Sequence, residues 1–187
     1  MLGRVAAVVL LLPLPVLAAQ PVPPPTTALS ANVARLPAGV LEAKVERRVD
    51  GWGMAVLVAG AHRAADIQGF GQSTTVGLGV QALWYARGDY YRGMTVGAET
   101  RYERRSTTNG GLTPGNPEVI TAVGQAWHLA LLIGGRYALP SGLFVAGQLG
   151  GRVVYATTTA SCCSTVLASA DSVRVLPLVG VDLGWLF

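Results

Sequence analysis

Counting back in twos from the C-terminus, the chain reads Phe187, Trp185, Leu183, Val181, Val179, Pro177, Val175 and Val173, an unbroken apolar row. The positions between hold Asp182 and Arg174 among small and apolar residues. Alternation of period two is the mark of a strand whose two faces meet different surroundings. Val76, Leu78, Val80, Ala82 and Trp84 form a second such row, and Trp127, Leu129, Leu131 and Ile133 a third. Turn residues separate the runs and predict eight strands, at about 28–36, 39–49, 52–64, 73–86, 90–105, 119–138, 143–157 and 172–187. Residues 28–49 also admit a single strand bulged around Leu36-Pro37-Ala38-Gly39; splitting it makes the strand count even.

The connections sort into two kinds. Val49-Asp50-Gly51, Arg87-Gly88-Asp89 and Leu139-Pro140-Ser141-Gly142 are tight, whereas 65–72, 106–118 and 158–171 are long and polar or small. With an N-terminus in the periplasm, all tight turns fall on the periplasmic side and all long ones outside, with Leu36–Gly39 a short outer turn. Trp52, Trp84, Tyr85, Tyr90, Tyr91, Tyr137, Phe144, Trp185 and Phe187 all map near the periplasmic strand ends, where a membrane barrel carries an interfacial aromatic girdle.

Composition narrows the choice of environment. The chain has 187 residues, 51% of them hydrophobic and 13% charged, with mean hydropathy +0.43, which is too apolar for an ordinary soluble domain of this size. Beyond the N-terminus no run of about 20 apolar residues occurs, so transmembrane helices are not where the apolar surface is hidden. A closed β-barrel is the other structure that satisfies its backbone in lipid. Residues 1–19 read as a secretory signal peptide: Arg4, an apolar core from Val5 to Leu12, and small residues around Val16–Ala19. The Pro-rich stretch 20–27 reads as an extended periplasmic leader, leaving 28–187 for the barrel.

With these elements in place, the whole mature chain resembles the small eight-stranded outer-membrane β-barrels, the OmpX-like and OmpA-transmembrane-domain-like group. The signal peptide, the alternating strands, the ending Val179-Gly-Val-Asp-Leu-Gly-Trp-Leu-Phe187 and the early segment from Leu29 to Arg48 carry the likeness. It implies an all-β, eight-stranded antiparallel up-and-down barrel in the bacterial outer membrane, with lipid and lipopolysaccharide as surroundings. It also implies recognition of the last strand by the barrel-assembly machinery through Phe187.

Candidate chemistry is sparse. Some barrels of this size are lipid-modifying enzymes, and those that deacylate lipid A use a His with a Ser two residues later. His128 is followed by Leu129-Ala130 and His62 by Arg63-Ala64, so that pattern is missing and no catalytic residue is assigned. Cys162 and Cys163 are adjacent in a long connection of an exported chain, which allows a vicinal disulfide or bonds to separate partners. That connection offers no His or further Cys, so no metal is expected. Gly77-Leu-Gly79 and Gly147-Gln-Leu-Gly-Gly151 lack the helix and Lys of a phosphate loop, and no cofactor is expected. Thirteen of the 14 basic residues are Arg and the pI is near 9.4, yet acids are interleaved with them, so no continuous basic face for nucleic acid is visible. Arg104 and Arg105 suit anionic lipid headgroups instead.

Counting inward positions up from the periplasmic ends puts Glu42, Glu99, Arg101 and Arg152 at one height, with Lys44, Glu46, Gln148 and Asp182 below. In eight strands these charges have to meet one another. The expected protein is therefore a structural or surface-interacting, porin-like barrel without enzyme activity, its lumen a charged plug and its external partner unspecified. A lipid-modifying enzyme and a soluble lipocalin-like carrier are the alternatives; the carrier needs polar outward faces, which the apolar rows oppose.

Overall fold

The period-two runs pair antiparallel with their sequence neighbours, and the last pairs with the first. The computed structural model describes residues 26–64, 71–88, 90–109, 120–162 and 165–187. Its strands are β1 Thr27–Asn32, β2 Val40–Val49, β3 Trp52–Arg63, β4 Gln72–Gly88, β5 Arg92–Asn109, β6 Ile120–Ala138, β7 Leu143–Cys162 and β8 Thr165–Leu186. They close in the order β1-β2-β3-β4-β5-β6-β7-β8. The segments expected as signal peptide and leader, 1–19 and 20–27, lie outside the described residues except for Thr26 and Thr27.

The stagger follows from the ladder. Starting at Ala31 and stepping across paired residues leads through Ala43, Val58, Leu78, Tyr102, Trp127 and Tyr155 to Val173. The direct partner of Ala31 on β8 is Leu183, ten positions away (183 less 173). At about 3.3 Å per residue and about 4.8 Å between strands, that stagger tilts the strands by roughly 40°.

Alternation then assigns the two faces. Leu41, Val45, Val56, Val58, Leu78, Val80, Leu129, Leu131, Ile133, Val179 and Leu183 point outward and are exposed. This outward belt is bounded by two aromatic rows. Trp52, Trp84, Tyr137 and Trp185 stand toward the end with the tight turns, the turn end, and Tyr102, Trp127 and Tyr155 stand toward the opposite loop end on neighbouring strands. Tyr102 and Trp127 touch with ring centroids 5.0 Å apart.

Three features depart from the expected pattern. The run 28–36 is a strand only to Asn32; Val33–Ala38 form a 3-10 helix closed by Gly39 at φ 73°, whose N–H bonds the Leu36 carbonyl. Pro37, which cannot donate to a ladder, lies inside this segment. The expected loop 158–171 is largely a hairpin continuation: β7 and β8 pair as far as Cys162 and Thr165, because the Thr- and Val-containing sequence suits strands. β5 likewise runs to Asn109. The expected girdle also needs correction, since Tyr85, Tyr90 and Phe144 face inward, with Tyr90 and Phe144 fully buried. With Ala28, Ala138, Ala146 and Leu186 they make the apolar core that seals the turn end.

Candidate functional site in the barrel lumen

Each inward charge is placed by strand parity, and its depth by the ladder. Near the turn end Glu46 is wholly buried and accepts bonds from Arg136 Nη2 and from the Tyr85 hydroxyl. Arg136 Nη1 donates to the same hydroxyl at 2.9 Å. The Arg136 guanidinium also lies 4.5 Å from the Phe144 ring centroid and 4.7 Å from that of Tyr90, so three aromatic rings and one carboxylate hold it. Room for the carboxylate comes from Gly53, because a Cβ there would collide with Glu46 Oε1.

One layer up, Lys44 pairs with Asp182 and donates to Gln81 at 3.4 Å. Gln81 in turn donates to Glu99 at 3.0 Å and to Gln148 at 3.3 Å, so this layer is bonded across the full width of the lumen. Above it Arg101 is the hub: it bonds Glu42 at 2.6 Å and Glu99 at 2.9 Å and lies 3.5 Å from Glu103. Gly79 lets Arg101 in, since a Cβ there would sit 2.8 Å from the Thr100 carbonyl oxygen and 3.2 Å from Arg101 Cβ. Arg35, carried by the 3-10 segment, shares Glu42 Oε2 at 2.5 Å and approaches Glu103 at 3.6 Å. His128 completes the layer with Nε2 3.4 Å from Glu103.

The structure thus brings Glu42, Glu99 and Arg101 into direct contact, and Lys44 with Asp182. Glu46 is joined by neither; its partner is Arg136. Arg152 lines the same cavity as Glu42, Glu99 and Arg101, yet no described residue bonds it, and its Nε is buried without a partner. Phe187 is exposed at the turn end, its backbone paired with Thr27. Cys162 is buried at the end of β7, and Cys163, the other half of the suggested vicinal disulfide, lies outside the described residues. His62 points outward, 3.1 Å from the Thr74 hydroxyl.

Sequence reasoning missed Arg35, Gln81, Tyr85, Glu103 and Arg136. Parity would have found Glu103, which extends the inward row 99, 101, and Tyr85, which lies opposite in parity to outward Trp84. Arg35 carried no such signal, because its position depends on a 3-10 turn that folds back over the lumen. Counted together, Glu42, Glu46, Glu99, Glu103 and Asp182 balance Arg35, Lys44, Arg101, Arg136 and Arg152, so these mid-lumen charges sum to zero.

Chemically the arrangement immobilises charge. The lumen keeps a cavity of about 380 Å³ at the mouth, with Arg35, Arg63, Arg105 and Glu103 in its wall, and another of about 290 Å³ deeper, between Arg152 and the 3-10 segment. Among the described residues no group of three or more His, Cys, Asp and Glu is arranged to hold a metal ion.

Removing the Glu46 carboxylate strands a buried guanidinium. Glu46→Ala is expected to lower unfolding free energy by about 3–5 kcal/mol, while the paired exchange E46L/R136M recovers most of it. Exposed Asp171→Ala is expected to stay within about 0.5 kcal/mol. Urea titration of the refolded protein measures all three, and equal losses for Glu46 and Asp171 would contradict the buried pairing.

No protein-family model matches the chain, nor does any curated protein. Among solved structures the chain is similar to the crystal structure of a major outer membrane protein from Thermus thermophilus, with 13% sequence identity and a TM-score of 0.55. The match covers 87% of this chain and 98% of that one, and the likeness is one of fold: an all-β ring of eight antiparallel strands.

Proposed function

We propose that this chain is a bacterial outer-membrane β-barrel of the OmpX-like and OmpA-transmembrane-domain-like kind, exported by its N-terminal signal peptide. Its role is structural or surface-interacting, without enzyme activity, and its lumen is plugged by paired charges. The observation that carries this reading is the exposed apolar belt between two aromatic rows. Along β6 the belt runs ten residues, from Tyr137 to Trp127, which at about 3.3 Å per residue and a tilt near 40° is roughly 25 Å, the height of the lipid-facing band in such barrels. A soluble carrier would hold this surface in water at a large cost.

The rest of the reading follows from the same geometry. Exposed Arg104 points outward just beyond Tyr102, where lipopolysaccharide or other anionic headgroups would lie. The turn end faces the periplasm, and Phe187 there is the aromatic that the barrel-assembly machinery would read. The β7–β8 hairpin rises well beyond the aromatic row as a Thr-, Ser- and Ala-rich sheet that supports an external contact role. The lumen supports a plug, since both the Glu46–Arg136 cluster and the Arg101 layer cross it. His128 has leucine and alanine after it and a carboxylate beside it, which favours a structural imidazole over a deacylase base.

Three outcomes test the reading. Leu131→Arg, at mid-belt, is expected to cost about 2–4 kcal/mol in phospholipid vesicles, whereas Val166→Arg, equally exposed but on the hairpin, costs well under 1 kcal/mol. Similar small costs for both would return the protein to water. In planar bilayers the wild-type protein is expected to show no steady large conductance; an open channel would remove the plug. Deleting Phe187 is expected to reduce heat-modifiable barrel in membrane fractions severalfold while export to the periplasm continues, and unchanged membrane levels would dissociate this residue from assembly.

A further inference from the structure

β1 is the shortest strand, and its shortness leaves a notch in the wall. It pairs with β8 only from Ala28↔Leu186 to Asn32↔Asp182, and with β2 only up to Ala43. Beyond those points β8 continues to Thr165 and β2 begins at Val40, with the 3-10 segment packed between them. Among the described residues that segment is 3-10 helix and takes part in neither strand's ladder. Tyr155 of the loop-end aromatic row pairs with Val173, and Trp185 belongs to the turn-end row. The stretch of β8 between Val173 and Val181, paired with β7 but with no strand on its β1 side, therefore lies within the apolar belt, in its loop-end half.

Backbone direction shows what faces the notch. The Phe187 N–H bonds Thr27, toward β1, and the Leu186 N–H bonds Gly142, toward β7. With no register shift between residues 177 and 187, every odd residue of β8 in this range directs its N–H toward β1. Pro177 is one of them, so the residue without an N–H stands where no strand is present to accept one. Val179 and Val181 direct their N–H groups into the same opening.

Behind the opening is the 290 Å³ cavity. Its wall includes Asn32 and Ala34 on one side, Pro177 and Gly180 on the other, and Arg152 on the neighbouring strand β7, where it pairs with Leu176 of β8. Arg152 Nε is buried without a partner, and so is Asn32 Oδ1. The five mid-lumen carboxylates are all engaged with other residues. Arg35, Lys44 and Arg101 line this cavity too, beside the carboxylates of Glu42 and Glu99, so the cations in its wall outnumber the anions by four to two. A partly buried guanidinium whose Nε has no acceptor leaves a donor for a ligand oxygen, and its planar fork suits the oxygens of a phosphate.

We propose that the notch between β2 and β8 is a lateral binding site for a phosphate-bearing lipid of the surrounding leaflet. The headgroup oxygens accept from Arg152, and the acyl chains lie outside along β8 beside Pro177 and Val179. The site rests on the barrel spanning a bilayer, which Leu131→Arg tests separately from the lipid titration.

The test is native mass spectrometry of the full folded chain in dodecyl maltoside, titrated with dioleoyl phosphatidic acid, dioleoylglycerol or inorganic phosphate. One phosphatidic acid per barrel is expected, bound at least tenfold more tightly than either comparator. Arg152→Gln is expected to weaken it tenfold or more, and Arg104→Gln, on the outward rim, less than twofold. Ala34→Phe, which obstructs the opening without altering charge, is expected to match the Arg152 loss and keeps the test decisive should Arg152→Gln fail to fold. Inorganic phosphate binding as tightly as the lipid would overturn the lateral lipid site, as would unchanged lipid affinity in Ala34→Phe or a loss equally large in Arg104→Gln.

Discussion

The constraint on which the structure depends is the closure of eight strands into a ring narrow enough for side chains to fill most of it. Once the ring closes, every second residue is committed to the lumen, and those at mid-depth, such as Glu42, Glu99 and Arg101, are buried from bulk water. Glu42 shows the result: one carboxylate oxygen is held by Arg101 from β5 and by Arg35 from the 3-10 segment. An isolated charge there costs several kcal/mol, so charges survive only in bonded sets, and arginine is favoured because its fork engages two acids at once. Arg101 does this with Glu42 and Glu99.

The same constraint explains where glycine and aromatic residues are used. Gly53 and Gly79 are inward positions at which a side chain would displace Glu46 or Arg101. At the turn end the problem is reversed, because the lumen has to be filled. Tyr85, Tyr90 and Phe144 turn in and stack around Arg136, which combines sealing with the neutralisation of Glu46. The short β1 is the exception in an otherwise continuous wall. It exchanges ladder hydrogen bonds for a 3-10 turn that delivers Arg35 to the hub, and it leaves the adjacent edge of β8 without a strand.

Much of this was legible in the sequence because a strand has a period of two. The rows ending in Phe187, Trp84 and Ile133 specify which face is apolar with no knowledge of the neighbours, and the tight turns at 49–51, 87–89 and 139–142 specify which strands are adjacent. The inward direction of Glu42, Lys44, Glu99, Arg101, Arg152 and Asp182 follows from alternation, whereas the strand count also needed an even number to split 28–49, which alternation by itself leaves as one bulged strand or two. Hairpin extension was less legible, since the small residues of 158–171 suit a loop as well as a strand until pairing decides between them.

Which inward charges touch was decided only by the tertiary structure. Parity tells that a residue faces the lumen; depth and azimuth depend on the stagger of ten accumulated around the whole ring. Glu46 meets Arg136, ninety residues away, because that stagger brings β2 and β6 to one height at the turn end. Arg152 shares a cavity with Arg101 yet bonds none of the acids for the same reason. By itself the sequence determined the two faces of each strand, since alternation is a local property of the backbone. The partnership of the charges belonged to the closed barrel, since only closure sets the distances across it.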